Sequence, residues 1–245
     1  MNLKVIGYWG GYPGVNEATS GYLVEANGFR LLVDCGSAVL SKLQETIAID
    51  DLDAVILSHY HHDHVADIGP LQYASYVSSF IKGFQKNIPI YAHTLEREEF
   101  EKLTYKNATT GKEYDPNQSL TIGPFTITFL RTIHPAPCFA MRITDQQSTI
   151  VYTADSSFQE TFIPFTKGAD LLIAESSFYG NQDGTNAGHM NSKEAASIAM
   201  GACVKQLLLT HLPHFGEHDQ LVKEAKELYT GQVVLASSGY EWSIK

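Results

Sequence analysis

A chain of 245 residues that is 44% hydrophobic and 18% charged can bury a sizeable core and is not a disordered polymer. Its net charge of −10 argues against a broad nucleic-acid-binding face. Three widely spaced cysteines, Cys35, Cys138 and Cys203, make no disulfide framework, and neither a charged leader nor a membrane-length apolar run is present, so a soluble protein of the reducing cytoplasm is expected.

Residues 3–9 alternate and end in Gly10-Gly11-Tyr12-Pro13-Gly14, a turn-rich loop. Residues 20–26 and 29–33 read as a hairpin about Asn27-Gly28, a strong turn signal. A helix over 38–47 leads to the apolar run 53–57, which has no helical polar face and suits a strand covered on both sides. Residues 67–82 are helix-like, 88–93 form a short strand, 95–103 a charged helix, and 104–118 a polar surface excursion. Two strands broken at Gly123-Pro124 fill 119–133. A hairpin joins 139–143 to 149–153, and 170–174 is a further strand. A Gly/Asn/Ser-rich loop, 176–190, precedes a helix that starts at Asn191-Ser192. The strand 206–209, a charged helix over 218–229 and strands at 232–236 and 240–244 complete the pattern. No repeat, low-complexity tract or linker divides it, so residues 1–245 are expected to form one domain.

The stretch Ser58-His59-Tyr60-His61-His62-Asp63-His64 places four imidazoles and a carboxylate directly after a buried strand. In extended chain His59 and His61 point the same way, whereas His62 is out of phase and should face away. Asp63 and His64 fall where the chain turns, and can reach the same place from another direction. Imidazole and carboxylate are ligands that zinc, manganese and iron take, and such a cluster can begin a two-metal site. The bland alternative is a solvated or adventitious His tract. Against it, Asp34, His59, His134, Asp155, Glu175 and His211 each stand just past the carboxyl end of an apolar strand. In layered α/β folds, polar strand ends converge on a shared rim where sites form.

With these residues in this order, the chain resembles the metallo-β-lactamase superfamily of metallohydrolases over roughly residues 3 to 240. The His-x-His-x-Asp-His signature is His59, His61, Asp63 and His64. His134, Asp155 in Thr153-Ala154-Asp155-Ser156, and His211 in Leu209-Thr210-His211 match the later ligands. The resemblance implies an α/β fold: an αβ/βα four-layer sandwich of two mixed β-sheets flanked by helices, with a dinuclear site at one edge. It implies one metal held by His59, His61 and His134, a second by Asp63, His64 and His211, and Asp155 bridging them. The cofactors would be two divalent ions, zinc by default with manganese and iron as alternatives, activating a bridging hydroxide. Asp34 matches an early structural Asp and would orient a ligand.

Within the superfamily, antibiotic-hydrolysing members carry Cys where Asp155 stands, and oxygen-reducing di-iron members carry Glu in place of His61. The chain is most similar to the phosphodiesterase branch typified by tRNA 3′-end-processing endonucleases (ribonuclease Z). Glu175-Ser176-Ser177-Phe178 and Gly188-His189-Met190-Asn191 look like that branch's Glu and helix-preceding His. Carried over, His189 is the general acid and Glu175 its partner, with Asp63 also among the catalytic groups. The alternative for His189 is a turn residue before a helix capped by Asn191 or Ser192. His214 and His218 read as surface loop residues, and His93 has no assigned role. No long Gly/Pro-rich arm interrupts residues 152–189, and the acidic balance offers no phosphate-backbone track. The expected reaction is therefore hydrolysis of a small phosphodiester, a nucleotide or short nucleic acid, by a protein that family analogy allows to pair as a homodimer. Lactone or thioester hydrolysis is the alternative activity, and a metal-binding domain without turnover the third reading.

Overall fold

Side-chain alternation sorts the N-terminal strands between two apolar layers. The structure is a computed structural model that describes residues 1–83 and 86–244. Strands β1 (Asn2–Gly7), β2 (Gly21–Ala26) and β3 (Phe29–Val33) pair antiparallel. Asn27 and Gly28, at φ 51° and 79°, form the tight turn that a two-residue hairpin loop requires. Val24, Leu31 and Val33 join the layer between the two sheets, while Leu23 and Leu32 join a second cluster beneath helices. Strand β4 (Ala54–Ile56) continues this rule in parallel register, with Leu31 opposite Ala54 and Leu32 opposite Val55. Ala54 and Ile56 face inward; Val55 and Leu57 face the helices. Each valine, leucine or isoleucine side chain so removed from water contributes about 1.5–3 kcal/mol.

Helices α1 (Val39–Leu43) and α3 (Ile68–Lys82) cover the outer face of this sheet, with the one-turn α2 (His62–Val65) between them. Strand β5 (Ile88–Ala92) and, after α4 (Arg97–Glu101), strand β6 (Thr109–Glu113) extend the sheet in parallel. The predicted helices 38–47 and 95–103 are thus shorter than their patterns suggested, and the stretch 104–118 is not a simple surface excursion. Thr109 to Glu113 pairs with Ile88 to Ala92 as an edge strand, and Tyr114 is buried with its hydroxyl donating to the Leu57 carbonyl at 3.0 Å. Of its five residues only Thr109 is buried, so this edge strand has no apolar alternation to show.

The second sheet repeats the plan. Strands β7 (Leu120–Ile122), β8 (Phe125–Arg131), β9 (Phe139–Thr144) and β10 (Thr149–Tyr152) are antiparallel. After α5 (Phe162–Thr166), an element absent from the sequence expectations, β11 (Leu171–Glu175) adds in parallel. Helix α6 (Ser192–Gly201), β12 (Gln206–Thr210), α7 (His218–Leu228) and β13 (Gln232–Leu235) follow, with both strands parallel to β11. β14 (Glu241–Ser243) returns to pair with β1. The strand orders are β14-β1-β2-β3-β4-β5-β6 and β13-β12-β11-β10-β9-β8-β7 among the described residues. The buried runs of β11 and β12 lie between the first sheet and the layer of α6 and α7, as parallel strands covered on both faces do. This is the four-layer αβ/βα sandwich expected from the sequence.

Candidate metal centre

Three strand ends turn sharply toward one rim. Asp34 follows β3 at φ 58°, Ala154 follows β10 at φ 51°, and His211 follows β12 at φ 52°. Left-handed backbone at a non-glycine residue costs roughly 1 kcal/mol or more and persists only where the surroundings enforce it. His59 lies three residues beyond β4, His61 caps α2, and Asp63 and His64 lie within that helix. His134 sits in the loop after β8, and Glu175 is the last residue of β11 rather than a residue beyond it.

These elements bring all seven expected ligand residues together. Ligand atoms of His59, His61, His134 and Asp155 lie within 4.8 Å of one another, as do those of Asp63, His64, Asp155 and His211. Asp155 belongs to both groups. Its Oδ2 lies 3.6 Å from His59 Nε2, 3.3 Å from His64 Nε2, 3.4 Å from His211 Nε2 and 4.0 Å from His134 Nε2. His134 Nε2 and His61 Nδ1 are 3.0 Å apart, and His211 Nε2 is 3.1 Å from Asp63 Oδ2. His62 is exposed and outside both groups.

The far nitrogens of the imidazoles are held from behind. His64 Nδ1 meets Asp34 Oδ2 at 2.8 Å, His59 Nδ1 meets Ser58 Oγ at 3.0 Å, and His134 Nδ1 meets the Gly188 carbonyl at 3.0 Å. His211 Nδ1 meets Ser177 Oγ at 2.8 Å. Ser58 Oγ donates to Asp34 and Ser177 Oγ to Glu175, so each hydroxyl accepts from its His. With the proton on Nδ1, each of these four rings presents an Nε2 lone pair to the cluster, the tautomer a metal needs. Asp34 also accepts from Ser58 N and Tyr152 OH. It lies behind His64, as a residue that orients a ligand should.

Two further facts fit a cation. Among the described residues, His59 Nε2 and His64 Nε2 are buried without a hydrogen-bond partner, a costly arrangement unless something else takes up the lone pair. Among the protein groups alone, burial opposes charge on His64, yet Asp155, Asp63 and Asp34 hold it well above the usual imidazole range. Burial would likewise raise Asp155, but His211 and His64 draw it well below the carboxylate range. Buried carboxylates in such number need positive charge among them, and divalent ions supply it.

Beside this cluster stands a second arrangement. His189 Nδ1 lies 2.8 Å from Glu175 Oε1, and the His189 ring is 5.3 Å from that of His134 and 5.2 Å from that of His211. Burial disfavours charge on His189, but Glu175, by charge and hydrogen bond, pushes it up to about 9. Asn191 caps α6 with a full capping box, its side chain accepting from Lys193 and Glu194 N–H groups at 3.0 Å, which fixes the chain that carries His189.

Five residues make contacts that the sequence did not disclose. Ser58 and Ser177 adjoin ligand or acid residues in sequence, but serine is too common for adjacency to be a signal. Gly11 N donates to Asp63 Oδ2 at 2.8 Å. His93 is buried with Nε2 donating to the Pro137 carbonyl at 2.9 Å, and burial lowers it to about 4; it is a neutral core residue outside the metal-ligand groups. His214 is the exposed loop residue expected, and its ring stacks between Trp9 and Tyr12.

Comparison with known proteins agrees with this architecture. The model of the β-lactamase superfamily domain matches residues 29–212. The chain is 61% identical over 242 residues to the "Probable metallo-hydrolase YhfI" of Bacillus subtilis, covering 99% of each chain. The crystal structure of that protein superposes with a TM-score of 0.96, covering 98% of each chain. A ribonuclease Z from Methanopyrus kandleri is 24% identical over 97% of this chain and 95% of its own. A diphosphatase of the PhnP family shares the fold at a TM-score of 0.79 and 17% identity, over 100% and 98% of the two chains. The chain belongs to the β-lactamase superfamily of metallo-hydrolases.

Proposed function

We propose that this metallo-hydrolase is a phosphodiesterase with a dinuclear zinc site, acting on a small nucleotide or short nucleic-acid diester. The observation that carries the reading is the Glu175–His189 pair, 2.8 Å apart, beside the cluster of ligands. His59, His61 and His134 would hold one ion, Asp63, His64 and His211 the other, and Asp155 both. When bound, two such ions would lower the proton affinity of a water and draw charge from a phosphoryl oxygen.

The protein's own groups account for the rest. An alkoxide leaving a phosphodiester is a strong base, and its departure is slow unless a proton arrives with it. Glu175 engages His189 Nδ1 and favours its charged form, leaving Nε2 as the nitrogen that can deliver that proton. Ser177 donates to Glu175 Oε2 at 2.7 Å and so leaves Oε1 for His189. An acyl hydrolase has less use for this pair, because a thioester releases a weakly basic thiolate and a bound metal ion would stabilise the alkoxide of a lactone. The names of the M. kandleri ribonuclease Z and the PhnP-family diphosphatase both describe cleavage at phosphorus, which supports the same reading. The net charge of −10 favours a small substrate over a long polyanion.

The test offers zinc- or manganese-loaded protein an aryl phosphodiester and a small lactone side by side. Chelator-sensitive diester cleavage is expected. Lactone turnover without diester turnover would refute the reading and move the search to acyl substrates.

A further inference from the structure

The loop after β1 carries an aromatic stack that the hydrolytic chemistry does not use. Gly11 N–H donates to Asp63 Oδ2 at 2.8 Å, and a Cβ on Gly10 would come within 2.6 Å of His211 Nδ1. Residues 10 and 11 therefore lie directly against two members of the ligand cluster. Tyr12 is the next residue, its Cα about 3.8 Å further along the chain, and Pro13 restricts its backbone. The Tyr12 ring lies 3.6 Å from the His214 ring at 4°, and His214 lies 4.6 Å from Trp9 at 12°. The three rings make one near-parallel stack. His214 is pinned in it, its Nε2 donating to the Tyr12 carbonyl at 2.7 Å and the Gly10 carbonyl at 3.1 Å. Gly10 N donates in turn to the Leu212 carbonyl, tying this loop to the one that follows His211. Tyr12 forms the outer end of the stack and is 61% exposed, with no ring against its outer face among the described residues.

A planar aromatic face held rigidly at a site's rim binds another planar group at little cost in ordering. We propose that the Tyr12 ring is a base-stacking platform, and that the substrate is a nucleoside-bearing phosphodiester whose base lies on Tyr12 while its phosphate meets the ligand cluster. The inference rests on the phosphodiesterase reading and adds to it the residue that binds the base. In a chain with a net charge of −10, stacking is a contact that gains affinity for a nucleotide without positive charge.

The test uses two diesters with one leaving group, thymidine 5′-p-nitrophenyl phosphate and methyl p-nitrophenyl phosphate, on metal-loaded wild type, Tyr12→Ala and Tyr12→Phe. Wild type should prefer the nucleoside ester in kcat/KM. Tyr12→Ala should reduce that preference by roughly 10- to 100-fold, chiefly through KM, as loss of one stacked base does. Tyr12→Phe should keep it, and the methyl ester reports whether each variant is folded and active. An unchanged preference in Tyr12→Ala, or equal loss on both esters, overturns the platform while leaving the phosphodiesterase reading intact. Turnover of neither ester by wild type would refute that reading instead. Calorimetric binding of thymidine 5′-monophosphate then decides the platform alone: weaker binding by Tyr12→Ala supports it, and equal binding overturns it.

Discussion

Replacing Asp34 tests whether the scaffold behind the ligands is what prepares the centre. Asp34 is completely buried, and its Oδ2 accepts from His64 Nδ1 at 2.8 Å, Ser58 Oγ at 2.8 Å and Tyr152 OH at 3.0 Å, while Oδ1 accepts from Ser58 N at 2.8 Å. Asn keeps the size and tolerates φ 58°. Its amide must nevertheless turn an NH₂ toward one side of this donor set. The better orientation keeps oxygen toward the trio and opposes two donors at Ser58 N, costing about 1–3 kcal/mol, with a further loss as the charge-assisted bond to His64 weakens. A total of about 2–4 kcal/mol in a chain of this length lowers Tm by roughly 5–15 °C. Asp34→Ala leaves every donor unpaired and adds backbone strain, so it must cost more. Because the bond that positions His64 is weakened in Asp34→Asn and lost in Asp34→Ala, metal affinity should fall in both, by about 10- to 100-fold where the bond is lost. Thermal unfolding in chelator isolates the folding cost, and metal titration with unfolding in excess metal measures the affinity. If Asp34→Asn melts within about 2 °C of wild type and binds metal as tightly, the hydrogen bonds to Asp34 do not organise the centre, and the argument fails.

The remaining predictions concern the cluster itself. Asp155→Ala should abolish binding of two metals, measured by elemental analysis; full occupancy of both sites would sink the bridging assignment. His189→Ala should slow diesters with poor leaving groups far more than activated aryl diesters, and equal loss on both would remove His189 from the acid role. Glu175 favours the charged form of His189 and raises it to about 9. Glu175→Gln removes that charge, so the alkaline limb of the kcat profile should move to lower pH; a stationary limb would show that another group sets it. Ser177 Oγ bonds both Glu175 Oε2 at 2.7 Å and His211 Nδ1 at 2.8 Å. Ser177→Ala should therefore weaken metal binding and the acid step together, and an effect on only one would break the proposed link.

How much was legible beforehand depended on how local each signal was. The strands ending near Val33, Ile56, Tyr152, Glu175 and Thr210 were readable because an apolar run stops where the chain leaves the sheet and meets solvent or a site. The hairpin at Asn27-Gly28 was readable for a different reason, since the turn demands left-handed backbone at both residues. Strand β6 escaped because Thr-Thr-Gly-Lys-Glu has no apolar period, and only its register against β5 makes it a strand. Helix α5 is too short to show a helical period, and α1 and α4 stop earlier than their patterns because tertiary contacts set helix ends.

The same distinction runs through the centre. By itself the sequence determined the residue types, the His-x-His-x-Asp-His spacing and the strand ends on which the other ligands stand, because covalent spacing and side-chain alternation are local properties of the chain. Only the tertiary structure decided that Ser58, Ser177 and the Gly188 carbonyl orient the imidazoles, that His93 is a neutral core residue, and that Tyr12, His214 and Trp9 share one stack. Those contacts join residues as distant in the chain as Trp9 and His214. A hydrogen bond or a ring stack depends on distances of about 3–4 Å that arise only when separate strands deliver their ends to a common rim.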